Sequence, residues 1–139
     1  EHSRREVDPK YATQQELTSF SDGYPTLIIG QASLDDLNAR LQIPVPMNRF
    51  RPNIVFTGGT AYAEDEMTAF RINNIDFFGV KLCSRCMITA INQETAETGK
   101  DPLRTLSQYR MQNNKVLFGQ NLLHRGEGWI GTGDKIILR

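Results

Sequence analysis

Apolar residues in this chain come mostly in short blocks bounded by Gly, Asn or Pro, a spacing that suits strands and tight turns better than long helices. Thr26-Leu27-Ile28-Ile29 reads as a short buried strand, and Asn53-Ile54-Val55-Phe56-Thr57 as a second, stopped by Gly58-Gly59. Phe70-Arg71-Ile72 and Ile75-Asp76-Phe77-Phe78 flank Asn73-Asn74, and Asn tolerates the left-handed backbone of a two-residue hairpin turn. Met87–Ile91, Val116–Phe118 and Lys135–Leu138 complete the predicted strands, the last entered through the turn Gly131-Thr132-Gly133-Asp134.

Helical periodicity appears twice. Leu34, Leu37 and Leu41 fall on one face of a helix over 33–41, with Ser33 as its N-cap, Asp35 and Asp36 near the positive end of its dipole, and Pro44 and Pro46 closing it. Pro102–Arg110 reads as a second short helix with Pro in its first turn and Leu103, Leu106 and Tyr109 or Arg110 on one face. Residues 1–22 are polar, contain Pro9 and lack periodicity. They read as a lead-in that is mobile or wraps an edge, ahead of one compact domain over 23–139. Many short strands with two short helices predict a mainly-β fold, a β-barrel; a parallel α/β sheet would need regular strand–helix alternation, which is absent.

Composition narrows the function classes. At 139 residues the chain fits one domain, and no apolar run is long enough for a membrane-spanning helix. Sixteen Lys and Arg against sixteen Asp and Glu argue against a dedicated nucleic-acid binder. The balance is uneven, however: residues 1–70 hold 6 basic and 10 acidic side chains and residues 71–139 the reverse, which allows an anionic small ligand near the second half. Two cysteines cannot staple a secreted mini-domain, so a reducing, cytoplasmic setting is expected. The chain begins at Glu1 without a signal-peptide pattern, and reads as an excerpt or a processed product.

Cys83-Ser84-Arg85-Cys86 is the one reactive-looking spacing. Structural zinc needs four ligands and there is no second Cys pair; only His2 and His124 could be recruited, and His124 reads as a surface or barrel-end residue. A redox pair of the thioredoxin kind opens a helix, whereas β-type sequence follows here. Two readings remain from spacing alone. Either both thiols pack into the barrel wall, or one is a thiolate on a soft metal centre with Lys81 or Arg85 nearby favouring deprotonation.

Five blocks carry a resemblance: Met47-Asn48-Arg49-Phe50-Arg51-Pro52-Asn53-Ile54-Val55, the Cys83–Cys86 block, Pro102-Leu103-Arg104-Thr105-Leu106, Phe118-Gly119-Gln120-Asn121-Leu122 and Gly131-Thr132-Gly133-Asp134. In this order, with Ala32-Ser33-Leu34 and Leu37-Asn38 ahead of them, they resemble MOSC domains, and most nearly the branch of the mitochondrial amidoxime-reducing component and bacterial YcbX-type proteins. The likeness runs from about Tyr24 to Leu138. It implies a β-barrel of the MOSC type that binds molybdenum cofactor, a metal held by the dithiolene of an anionic pterin.

The resemblance makes Cys86 the metal ligand and catalytic residue, a soft donor for a thiophilic metal, and leaves Cys83 as a packing residue. It makes Arg51 and Asn53 contacts to the pterin and its phosphate, for which a guanidinium fork and an amide are suited, and their alternation on a strand would place both on one face. Without the resemblance, a surface ion pair for Arg51 and a strand-edge cap for Asn53 are the plainer roles. Ser33 matches a further cofactor contact, although an N-cap explains it equally, and Asn121 matches a cofactor-proximal position that is Tyr in some relatives. The implied activity is reduction of small N-hydroxylated or related N–O substrates, with electrons from a separate donor protein or ferredoxin-like domain. A non-catalytic carrier of the cofactor or of sulfur is the alternative. Full-length relatives carry an N-terminal β-rich part that adds basic contacts to the cofactor, and this segment is expected to lack it.

Overall fold

The chain forms strands β1 (Arg5–Glu6), β2 (Ala12–Thr13), β3 (Thr18–Phe20) and β4 (Thr26–Gly30), helix α1 (Gln31–Arg40), and strands β5 (Ile54–Thr57), β6 (Phe70–Ile72) and β7 (Ile75–Arg85). Helix α2 (Leu103–Leu106) follows, then β8 (Met111–Gln112), β9 (Lys115–Arg125), β10 (Gly128–Ile130) and β11 (Ile137–Leu138). The computed structural model describes residues 5–6, 12–13, 18–20, 25–86 and 100–139. The strand expected at Met87–Ile91 lies outside the described residues.

Nine strands form one sheet in the order β1-β11-β6-β7-β9-β4-β5-β2, with β8 folded onto β9, and β10 pairs with β3 separately. The result is a mainly-β, barrel-like fold with two helices. Only β4 and β5 among these neighbours are parallel, and α1 is the crossover that a parallel pair requires. The long pair β7–β9 is the spine, and it is bulged between Gly79 and Lys81 and again between Leu82 and Ser84. Opposite the second bulge, Gly119 has φ +96°, and a Cβ there would lie 3.0 Å from Leu27 and Ile29 side-chain carbons. A bulge of this kind re-aims a strand. Before it, Val116 and Phe118 pack with Ile29, Leu37, Phe50 and Leu106 beneath the helices. Beyond it, Leu122 packs with Ile28, Phe70, Phe77 and Ile130 in the other core.

Several expectations are corrected here. Helix α1 starts two residues early, with Gly30 as its N-cap, so Ser33 lies inside it, and neither Asp35 nor Asp36 is in its first turn. The reason is tertiary: the Glu64 carboxylate accepts the Gly30 N–H (3.2 Å) and the Ser33 hydroxyl (2.8 Å), giving the helix start a partner from outside the local sequence. The second helix is shorter than expected, one turn followed by turns to Tyr109. His124 is buried at 5% exposure, its Nδ1 3.4 Å from Thr26 Oγ1 and its ring 5.5 Å from that of Phe77, because it shares the inward face of β9 beyond the bulge. Within the lead-in, β1 and β2 stand at the two ends of the sheet order.

Gly79 fixes how the spine meets the loop before β6. Its N–H donates to the Thr68 carbonyl (3.1 Å), and a Cβ there would sit 2.5 Å from the Met67 carbonyl oxygen and 3.0 Å from the Gln120 amide. Backbone cannot retreat as a flexible side chain does. Gly79→Ala is therefore expected to destabilise the fold by about 1–3 kcal/mol, read as a lower urea midpoint. An unchanged midpoint would show that the 67–68 segment gives way.

Candidate functional site

The end of β7 lies against the start of β9, with Arg85 opposite Val116. Cys83, within β7, is half-buried, and Cys86, just beyond it, is exposed; both are thiols, not halves of a disulfide. Arg85 stands between them. Its Nη1 donates to Cys83 Sγ (3.1 Å), its Nη2 donates to the Phe50 carbonyl (2.9 Å), and its guanidinium lies 5.4 Å from the Phe50 ring centroid. Phe50 is fully buried and packs on Phe118 at 4.5 Å, so this contact ties the strand end to the core. The Arg85 Nε is buried and has no hydrogen-bond partner among the described residues.

Arg51 follows Phe50 directly, is exposed, and has φ +57°. It precedes β5 rather than belonging to it, so the expected alternation with Asn53 does not hold. A 3-10 turn over Met47–Arg49, closed by the Phe50 N–H to Met47 carbonyl bond (3.0 Å), leads into this left-handed residue. Asn53 closes the parallel pair. Its N–H donates to the Leu27 carbonyl (2.9 Å), and its Oδ1 accepts the Leu27 N–H (2.8 Å). Asn121 is half-buried in β9, opposite Leu27 on one side and Lys81 on the other. Cross-strand partners share a face. Asn121 and the exposed Lys81 therefore lie on the face of Leu27, which packs against the core beneath the helices, as does Val116 opposite Arg85.

The fold thus gathers Lys81, Arg85 and Asn121 on one sheet face, with Asn53 in the same row, and binds the Phe50–Arg51 peptide to the residue before Cys86. Ser33 is not among them. It is 0% exposed, with its hydroxyl donating to Glu64 and accepting from the Tyr62 N–H (2.7 Å), so its side chain is engaged inside the protein.

A second polar cluster was not read from the sequence. The Tyr62 hydroxyl donates to Asp36 Oδ2 (2.8 Å) and meets the Tyr109 hydroxyl; Arg40 lies 3.8 Å from the Tyr109 ring and Arg110 4.3 Å from the Tyr62 ring. Arg110 also grips Asp65 with two hydrogen bonds of 2.9 and 3.0 Å. Burial, then the Tyr109 and Asp36 neighbours, push the Tyr62 hydroxyl far above the usual range. Burial also raises Tyr109. Burial pulls the Asp36 carboxyl upward, but hydrogen bonds from Tyr62 and Arg40 leave it below its usual range. Asp65 lines two clefts: one of about 490 Å³ with Thr60, Tyr62, Glu66, Met67 and Leu138, and one of about 160 Å³ with Leu82, Tyr109, Arg110 and Leu117. Neither is lined by Cys86 or Arg51. Partners 26 to 47 residues apart leave no local signature in the sequence.

The domain is thus barrel-like and mainly β, with an exposed thiol just past the end of β7 and a guanidinium on the residue before it. The chain belongs to the MOSC domain family, whose model matches residues 15–137. It is 38% identical over 129 residues to mitochondrial amidoxime-reducing component 1 of Homo sapiens, covering 86% of this chain and 38% of that protein. To the Mus musculus protein of the same name it is 34% identical over 145 residues, covering 98% and 42%. To molybdenum cofactor sulfurase of Oryza sativa subsp. japonica it is 36% identical over 118 residues, covering 77% and 14%. The chain thus spans about two-fifths of the amidoxime-reducing components it matches. Among the described residues, no helix is long and apolar enough to cross a membrane.

Proposed function

We propose that this domain holds molybdenum cofactor through the Cys86 thiolate and forms the metal-holding part of a reductase of N-hydroxylated or related N–O substrates. The observation that carries the reading is the exposed Cys86 thiol at the end of β7, one residue from a guanidinium fastened to the Phe50–Arg51 peptide. Among the described residues no three His, Cys, Asp or Glu side chains are grouped to share a metal ion. A metal at Cys86 must therefore bring most of its ligands with it. The residues present fit such a group: a soft sulfur donor, the exposed cations Arg51 and Lys81 for an anionic pterin phosphate, and the half-buried amide of Asn121 for a pterin edge. Asn53 contributes indirectly, since its Oδ1 is committed to Leu27 and holds the start of β5, and with it the Arg51 turn.

When bound, the cofactor supplies two-electron chemistry with transfer of one oxygen atom, so that an amidoxime, two electrons and two protons give an amidine and water. Cys86 would hold the metal, and the exposed cations Arg51 and Lys81 would offset the charge of the pterin phosphate. Electrons come from a separate donor protein. The names of the amidoxime-reducing and sulfurase relatives support the reading.

Protein purified from a host that makes the cofactor is expected to contain near-stoichiometric molybdenum by elemental analysis, and to reduce a simple amidoxime with a supplied reductant. Metal loading without turnover would favour a carrier of the cofactor. A reducible extra sulfur on Cys86 by mass spectrometry, with no metal, would favour sulfur relay and overturn the reductase reading.

A further inference from the structure

We infer that Arg85 is a positioning residue for the cofactor site: its guanidinium, shared between Cys83 Sγ and the Phe50 carbonyl, sets where Cys86 stands relative to Arg51. The inference rests on the reading of Cys86 just given. Three observations carry it. First, Arg85 is covalently next to Cys86 and donates to two acceptors 35 and 2 residues away, so one planar fork joins the strand end to the loop that carries Arg51. Second, the accepting carbonyl belongs to the peptide that enters Arg51, whose φ is +57°. A non-glycine residue in that region is strained and persists only where its surroundings hold it. The Arg85–Phe50 bond fixes one side of that torsion. Third, the anchor is stiff at its far end, because Phe50 is fully buried against Phe118.

The arrangement gives the two cysteines different roles. Cys83 is an acceptor that keeps the guanidinium fork oriented, and Cys86 projects beyond it. Lysine cannot reproduce the fork, since an ammonium is a compact point donor without fixed planar geometry. Partners that orient a metal ligand from outside its coordination shell typically cost about 10–100-fold in metal retention when removed.

The test uses the cofactor-loaded protein and the variants R85M, R85K and C86S, with three readouts: molybdenum per chain, the Mo(V) electron paramagnetic resonance signature after partial reduction, and the melting temperature. R85M keeps the length of the stem and removes both donors. It is expected to lose about tenfold or more of the bound molybdenum, to alter the resonance of what remains, and to melt near the parent. R85K is expected to fall between the two. Parent-like metal content together with a parent-like resonance in R85M would overturn the inference. If R85M melts far below the parent, R85K decides: a folded R85K with parental metal and resonance overturns the inference, and a folded R85K with reduced metal and altered resonance upholds it. C86S separates the two levels. Molybdenum retained in C86S defeats the ligand assignment itself, whereas molybdenum lost in C86S but kept in R85M defeats only the role of Arg85.

Discussion

Serine in place of Cys86 is expected to leave the domain folded and nearly stripped of molybdenum. Residue 86 is exposed and lies one residue past the end of β7, outside the buried core clusters. What changes is the donor. A cysteine sulfur is a soft donor suited to a thiophilic metal, while a serine hydroxyl is hard. Molybdenum per chain should fall at least about tenfold, the scale on which even outer partners of metal ligands act. Cys83→Ser is the informative control. A hydroxyl at position 83 still accepts a hydrogen bond from Arg85 Nη1, so that variant should keep most of its metal. Elemental analysis of both variants, purified side by side and compared in melting temperature, checks the result. If Cys83→Ser loses the metal and Cys86→Ser keeps it, the assignment of roles is reversed.

The largest stability effect is expected at Glu64, which is fully buried in the short 3-10 segment Ala63–Glu66. Its carboxylate satisfies the Gly30 N–H and the Ser33 hydroxyl, while its backbone carbonyl accepts Gln120 Nε2 (3.1 Å). Glu64→Ala leaves two buried donors without an acceptor and opens a void. The combined cost is about 3 kcal/mol or more, large enough to unfold a marginal domain. Glu64→Gln keeps an acceptor oxygen and should be tolerated far better.

Burial raises the Glu64 carboxyl above its usual range, against the opposing hydrogen bonds from its own backbone, Ser33 and Gly30. The folded protein therefore retains a proton at pH values where the unfolded chain has released it. The stabilisation this group gives is complete below the ordinary glutamate range, and it declines as pH rises toward the raised folded value. Glu64→Gln lacks that decline. Urea unfolding of both proteins from about pH 4 to pH 8 should show the parent losing ground to Glu64→Gln as pH rises. A constant difference across that range would mean that Glu64 does not hold a raised value.

Local pattern was enough for the elements that local chemistry decides. The β4 and β5 runs, the Asn73-Asn74 hairpin with Asn73 at φ +56°, and the turn in which the Gly131 N–H donates to Asp134 Oδ2 (2.7 Å) all stand where alternation and turn residues put them. The misses share a physical cause, which is that a distant residue supplied what the local sequence was read to supply. Ser33 looks like an N-cap until Glu64 arrives from 31 residues away, and Arg51 looks like a strand residue until its backbone turns left-handed beside the Arg85 anchor. The length of β9 was hidden by Gly119, which reads as a stop but serves as the bulge that lets one strand feed both cores. Cys86 stood out as the candidate ligand only through the order of the sequence blocks around it. The Tyr62–Tyr109–Asp36 cluster had no such signature.

Two of the two-residue strands, β1 and β2, settle the curvature of the sheet. β1 and β2 stand at opposite ends of the eight-strand order, yet only six peptide links join Glu6 to Ala12. Laid flat, eight strands would hold their outermost members about 34 Å apart, whereas a six-residue tether reaches about 20 Å. Connectivity alone thus obliges the ladder to roll until its rims approach one another. The opening stretch of the chain works as the clasp of a hoop, and its length caps how wide the hoop can spread.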